Sequence, residues 1–238
     1  MLNLKCFDDI EVESSCQFSL PHIKKVKLAP SLEQRSYISN CFNQILAQGD
    51  RVSDSGIKSL FLGDVESQDC WHNLPQLSWL TSSVEKYILK YINENFSHSQ
   101  LSVYYQKTWP VIMSNGSNIS FHRHNNAHLS AVFYHDCPCP QSGGELTFES
   151  STDYFPSLPS SLQPINNINL GIRPFTNLLI IFPASLRHSV APYFGEKPRL
   201  SISFDFYISA DESSSYKQRE NISSDPHQWL RFRRPHGL

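Results

Sequence analysis

The feature that most constrains this chain is a change of period near Leu101. From there through residue 208, apolar residues recur in seven short runs: LSVYYQKTWPVIM, SNISFH, HLSAVFYH, GGELTFES, NLLIIFP, RHSVAPY and RLSISFDFYI. Gly, Pro, Asn and Ser separate them, the residues that most readily reverse a chain. Successive side chains of a strand point to opposite faces, so each run offers at least one face to a core. Strand after strand with turn signals between them predicts an antiparallel sandwich or jelly roll.

Upstream the period is helical. Ser31 and Gln34 stand at capping-box spacing directly after Pro30, the arrangement that satisfies the first free amides of a helix. Leu32, Ile38, Cys41, Phe42, Ile45 and Leu46 follow at helical intervals, with Gly49 where the helix would stop. A second helix is predicted from near Pro75, with Leu77, Leu80, Val84, Ile88, Tyr91 and Ile92 as its apolar stripe. Both stripes read as core faces that pack helices onto something larger. Residues 1–30 are expected to add an edge strand or two, and residues 50–56 read as a polar loop before a short apolar piece at 60–62.

The expected organisation is therefore a helical support region at 1–100, a β core at 101–208 and a polar, partly disordered tail at 209–238. In that tail Trp229, Leu230 and Phe232 are the candidates for docking. The Pro- and Ser-rich interval 150–172 reads as a long loop over one rim. Loops of that length in compact domains commonly carry function, so it is the expected shaper of a substrate pocket.

Composition narrows the classes of function. At 238 residues one sizeable domain suffices. A net charge of −2 gives no electrostatic reason to expect nucleic acid. No apolar run approaches the roughly 18 residues that cross a bilayer, and the start, MLNLKCFDDIEVESS, lacks a leader pattern. The six cysteines show no repeated C-x-x-C; Cys137 and Cys139 are too close for an easy disulfide. Reduced thiols and a cytoplasmic setting are the expectation, and a homodimer is compatible with the sequence. There is no G-x-S-x-G nucleophile motif. Gly143–Gly144 is not followed by the helix of a phosphate cradle, and the basic residues 231–234 read as a solvated terminus.

The chemistry concentrates in SFHRHNNAHLSAVFY, residues 120–134. On a strand, His122 and His124 share a face, about 7 Å apart at Cα, a pitch from which two imidazoles can converge on one metal ion. Such a pair alone is commonly a surface feature. What makes it specific is the order His122-x-His124, Gly143-Gly144-Glu145-Leu146, His188 after NLLIIFP, and Arg199-x-Ser201, each on or beside a predicted strand.

In that order the segment resembles the iron(II)- and 2-oxoglutarate-dependent dioxygenases, a double-stranded β-helix (jelly-roll, cupin-like) superfamily. Within it, it is similar to the 2OG-Fe(II) oxygenase group with an H-x-H motif. Trp109, Gly116, His122, His124 and the SAVFY run from Ser130 to Tyr134 carry the likeness, across residues 101–208. The resemblance implies a mainly β fold with an N-terminal α layer. It also implies an Fe(II) site made by His122, His124 and His188. His124 stands where most of the superfamily has Asp or Glu, and Glu145 and Asp136 are the alternative carboxylates. Arg199, Ser201 and Tyr134 would bind the 2-oxoglutarate co-substrate, and His128, Asn126 and Trp109 would face the substrate. The implied reaction consumes O2, releases succinate and CO2, and oxidises a C–H bond, hydroxylation being the default. An amino acid, a peptide or a small biosynthetic intermediate would be the substrate. The rival reading is a non-redox three-histidine module holding zinc or nickel, which would have no use for Arg199 with Ser201.

Overall fold

The computed structural model describes residues 23–47, 59–61, 68–96, 101–139, 141–149, 170–210 and 230–231. Eleven strands and two α-helices lie among them: β1 (Lys24–Lys27), α1 (Leu32–Ala47), β2 (Ser59–Phe61), α2 (Ser78–Asn95), β3 (Leu101–Met113), β4 (Ile119–His122), β5 (Leu129–Asp136), β6 (Leu146–Phe148), β7 (Leu170–Ile172), β8 (Leu178–Pro183), β9 (His188–Val190), β10 (Arg199–Ala210) and β11 (Leu230–Arg231). The alternating runs build two antiparallel sheets. The major sheet runs β1-β8-β5-β10-β3-β11, with β2 also on β3, and the minor sheet runs β4-β9-β6-β7. Of the sandwich and jelly roll that the patterning leaves open, this is the jelly roll that the resemblance implies.

The strand pattern explains the layering. On β8, Leu178, Ile180 and Phe182 face the minor sheet, while Leu179 and Ile181 face the helices. Both faces are covered, which is why LLIIF is a continuous apolar run rather than an alternating one. On β10 the parity separates chemistry from packing: Ile202, Phe204 and Phe206 join the helix-side core, leaving Arg199, Ser201, Ser203 and Asp205 on the opposite side. Against β10, the register of β3 skips one residue between Lys107 and Tyr105. That bulge inverts the parity of β3, so Val103 and Tyr105 pack with the helices while Val111 and Met113 point between the sheets.

The helices cover the outer face of the major sheet. Ser31 Oγ accepts from the Gln34 amide at 3.2 Å and Gln34 Oε1 accepts from the Ser31 amide at 2.7 Å, the reciprocal capping box read from the sequence. Ile38, Cys41 and Phe42 are buried on α1. Leu32 and Leu46, counted into the same stripe, are instead 88% and 47% exposed, since they lie outside the face that meets the sheet. The stripe of α2 is buried throughout, from Leu80 to Ile92. Pro75 opens a short 3-10 turn, and the α-helix begins three residues later.

Two other expectations change. Leu170–Ile172, read as the end of a loop, is a strand on β6, and Leu230–Arg231, read as tail, pairs with Tyr105 and Tyr104 of β3. Cys41, Cys70, Cys137 and Cys139 are free thiols. Among the described residues no helix is long and apolar enough to cross a membrane. The readings placed on residues 1–22, 48–58, 62–67, 150–169, 211–229 and 232–238 lie outside the described residues.

Candidate metal centre and anion pocket

His122 ends β4 and His188 begins β9, and the two are directly opposed in the antiparallel register. His124 lies beyond the end of β4, where its amide donates to the Ala184 carbonyl at 3.0 Å. The strand parity invoked for the pair thus holds only for His122, and irregular backbone after β4 carries His124 to the same place. Ligand-capable nitrogens of the three rings lie within 4.8 Å of one another. Ring centroids are separated by 5.2 Å for His122–His124, 4.3 Å for His122–His188 and 5.2 Å for His124–His188.

Each ring is oriented through Nδ1. His122 donates to the Ser120 carbonyl at 2.9 Å, and His188 to the Leu186 carbonyl at 2.8 Å. His124 donates instead to the Asp205 carboxylate, 2.7 Å from Oδ1 and 2.8 Å from Oδ2. Fixing Nδ1–H in this way leaves the lone pair on Nε2 as the free ligand atom. Burial pushes His188 down to about 3, although its bond to the Leu186 carbonyl opposes the shift, and burial also lowers His122. Both rings are therefore held in the neutral form that binds metals.

Arg199, the first residue of β10, is 2% exposed. Its Nη1 donates to the Gly144 carbonyl, Nη2 lies on Met113 Sδ, and buried Nε has no partner. The rings of Tyr134 and Tyr193 flank the guanidinium at 5.2 and 5.8 Å. Among the described residues no carboxylate pairs with it. Ser201 faces Tyr134 across the β10–β5 register, and burial pushes the Tyr134 hydroxyl up to about 12, keeping it a donor. Gly144 makes the seat possible: at φ +77°, a Cβ there would come 2.6 Å from Arg199 Nη1.

One cavity between the sheets brings together His122, His124, His188, Tyr134, Arg199 and Ser201, with Trp109 on its wall. Trp109 lies 5.9 Å from the His124 ring. His128 and Asn126 are not among the residues lining it. The His128 ring stacks on Tyr207 at 4.3 Å and its Nδ1 accepts from the Ile208 amide, so it braces β10; Asn126 is exposed in the turn. Neither alternative carboxylate joins the histidine cluster, and Glu145 faces Arg173 at 3.5 Å. The carboxylate that sequence reasoning missed is Asp205. Its signal was present in Arg199-x-Ser201-x-Ser203-x-Asp205, four polar residues of one parity on an otherwise apolar strand.

Residues 107–205 match the family model described as "Putative 2OG-Fe(II) oxygenase". No curated protein matches the chain. Among solved structures, it is similar to a prolyl hydroxylase from Trichoplax adhaerens in complex with a hypoxia inducible factor peptide fragment (16% identity, TM-score 0.55, covering 85% of this chain and 87% of that one). A prolyl-4-hydroxylase from Pseudomonas putida aligns with 14% identity and a TM-score of 0.52, over 79% of this chain and 92% of that one. The epimerase SnoN, in complex with Fe3+, alpha ketoglutarate and nogalamycin RO, aligns with 13% identity and a TM-score of 0.56, over 87% and 88% of the two chains. At these identities the likeness to solved structures is one of fold. The family match falls on the segment that carries the three histidines and Arg199, so residues 107–205 are similar to the 2OG-Fe(II) oxygenases.

Proposed function

We propose that His122, His124 and His188 hold iron(II) through Nε2, and that Arg199, Ser201 and Tyr134 hold 2-oxoglutarate. The observation that carries this reading is the state of Arg199. A buried guanidinium with an open Nε and no carboxylate partner among the described residues shares a cavity with three imidazoles. Leaving such a charge unmatched is costly, and a dicarboxylate entering the cavity supplies the missing anion. Three imidazole nitrogens would suit iron(II), which would take the keto acid and oxygen as its further partners.

When bound, iron and 2-oxoglutarate supply the oxidising chemistry, in which dioxygen converts the keto acid to succinate and CO2 and a substrate C–H bond is oxidised. The chain's part is placement. Arg199 fixes the far carboxylate, with the Tyr134 and Ser201 hydroxyls as further donors. The apolar wall of Val111, Leu146, Phe182 and Val190 keeps water from that end of the cavity. Trp109, beside His124, borders the substrate end. Hydroxylation of an amino acid, a peptide or a small biosynthetic intermediate is the reading adopted; a fold shared with prolyl hydroxylases and an epimerase is compatible with more than one outcome. A zinc or nickel module would leave Arg199 unexplained.

The test is succinate formation from 2-oxoglutarate without added substrate. His188→Ala and Arg199→Ala are each expected to reduce it to background. Undiminished succinate from His188→Ala would remove that residue from the site, and the same result from Arg199→Ala would favour a different co-substrate.

A further inference from the structure

The three imidazoles are not equivalent. His122 and His188 are each backed by a neutral carbonyl, while His124, the one standing in the usual carboxylate position, is backed by a carboxylate. Asp205 is 6% exposed, and among the described residues its ion-pair partner is His124. Ser130, directly opposite on β5, donates to Asp205 Oδ1 at 2.6 Å and lies 3.3 Å from His124 Nδ1. Both Asp205 oxygens are thus committed to one imidazole, and a neighbouring strand braces the carboxylate. A buried carboxylate in an apolar sheet is expensive unless it is paired, so its retention behind this ring calls for a role.

Resting on the iron reading above, we propose that Asp205 is a positioning residue. With Ser130 it fixes the His124 ring, and it gives the metal centre, one hydrogen bond away, the negative charge that a carboxylate ligand would bring in directly. A carboxylate behind a metal-bound imidazole raises the basicity of the ligand and locks its orientation, and losing such a partner typically costs about 10–100-fold in metal affinity. The site would then keep the overall charge of a two-histidine, one-carboxylate set while presenting three nitrogens.

The experiment is an anaerobic titration of the full chain with Co(II), reading affinity and the ligand-field bands. Asp205→Asn keeps an acceptor for His124 but removes the charge; it is expected to weaken binding by about 10–100-fold and to shift the bands. Ser130→Ala is expected to do the same to a smaller degree. Parental affinity and bands in Asp205→Asn, together with lost binding in His188→Ala, would overturn the role of Asp205 and leave the three-histidine site standing. Parental binding in His188→Ala would overturn that site and this proposal with it. A second comparison holds if the single variant folds poorly. In a His124→Asp background, Asp205 faces a like charge, so adding Asp205→Asn is expected to strengthen metal binding, the reverse of its effect in the parent. Weakening in both backgrounds would contradict the proposal, since a purely structural Asp205 has no reason to change sign.

Discussion

Gly144 shows how a missing side chain can govern an anion site. Its carbonyl receives Arg199 Nη1, and a methyl group at that position would occupy the space of the guanidinium, in a backbone conformation that alanine resists. Gly144→Ala is therefore expected to raise the 2-oxoglutarate KM by about tenfold or more, the equivalent of about 1.4 kcal/mol, while metal affinity stays at the parental level. Measuring both separates the anion end of the cavity from the metal end. The histidines and Arg199 were legible in the sequence because their chemical types and chain order are distinctive. Gly143–Gly144 was legible only as a turn, because the side chain that fills the space beside it arrives from β10, more than fifty residues later. Asp205 went unread for the same reason: a strand aspartate is ordinarily solvated, and its partner His124 is brought to it by irregular backbone after β4 that periodicity does not specify.

At the scale of elements, α1 was the most legible part of the chain, because its capping box and its stripe are local. Ser31→Ala should cost about 1 kcal/mol. Phe42 is fully buried and packs on Trp71 and His135 at centroid distances of 5.2 and 5.9 Å. Phe42→Ala should cost about 3–5 kcal/mol. Urea unfolding of the two variants checks both values, and equal costs would mean that α1 is not held by its contact with the sheet. Leu32 and Leu46 were over-read, since helical spacing alone does not give the width of the covered face. The strand β7 was under-read: Leu170-Gly171-Ile172 is short, contains a glycine and adjoins a Pro- and Ser-rich stretch, so only its pairing with β6 reveals it.

For the whole molecule, burial lowers three described histidines outside the site, His128, His135 and His72. His135, between α1 and the major sheet, is pushed down to about 4 by burial, with the nearby Arg35 charge adding to the effect. Burial likewise pushes His72 down to about 4, with Asp69 opposing. In the unfolded chain both titrate near 6.5. Between those values the unfolded chain binds more protons, so stability is present above about pH 6.5 and is lost as the pH falls toward 4. Unfolding free energies measured at pH 7.5 and pH 4.5 should differ accordingly. His135→Phe should shrink that difference by about 2 kcal/mol; an unchanged difference would show that His135 titrates normally. The central claim, one cavity that chelates iron at its histidine end and a keto acid at its arginine end, is tested most directly by anaerobic addition of Fe(II) and then 2-oxoglutarate to the metal-free protein. The expected result is a weak visible charge-transfer band that requires both additions and is absent in Arg199→Ala. No band, with zinc retained tightly by the same three histidines, would contradict it.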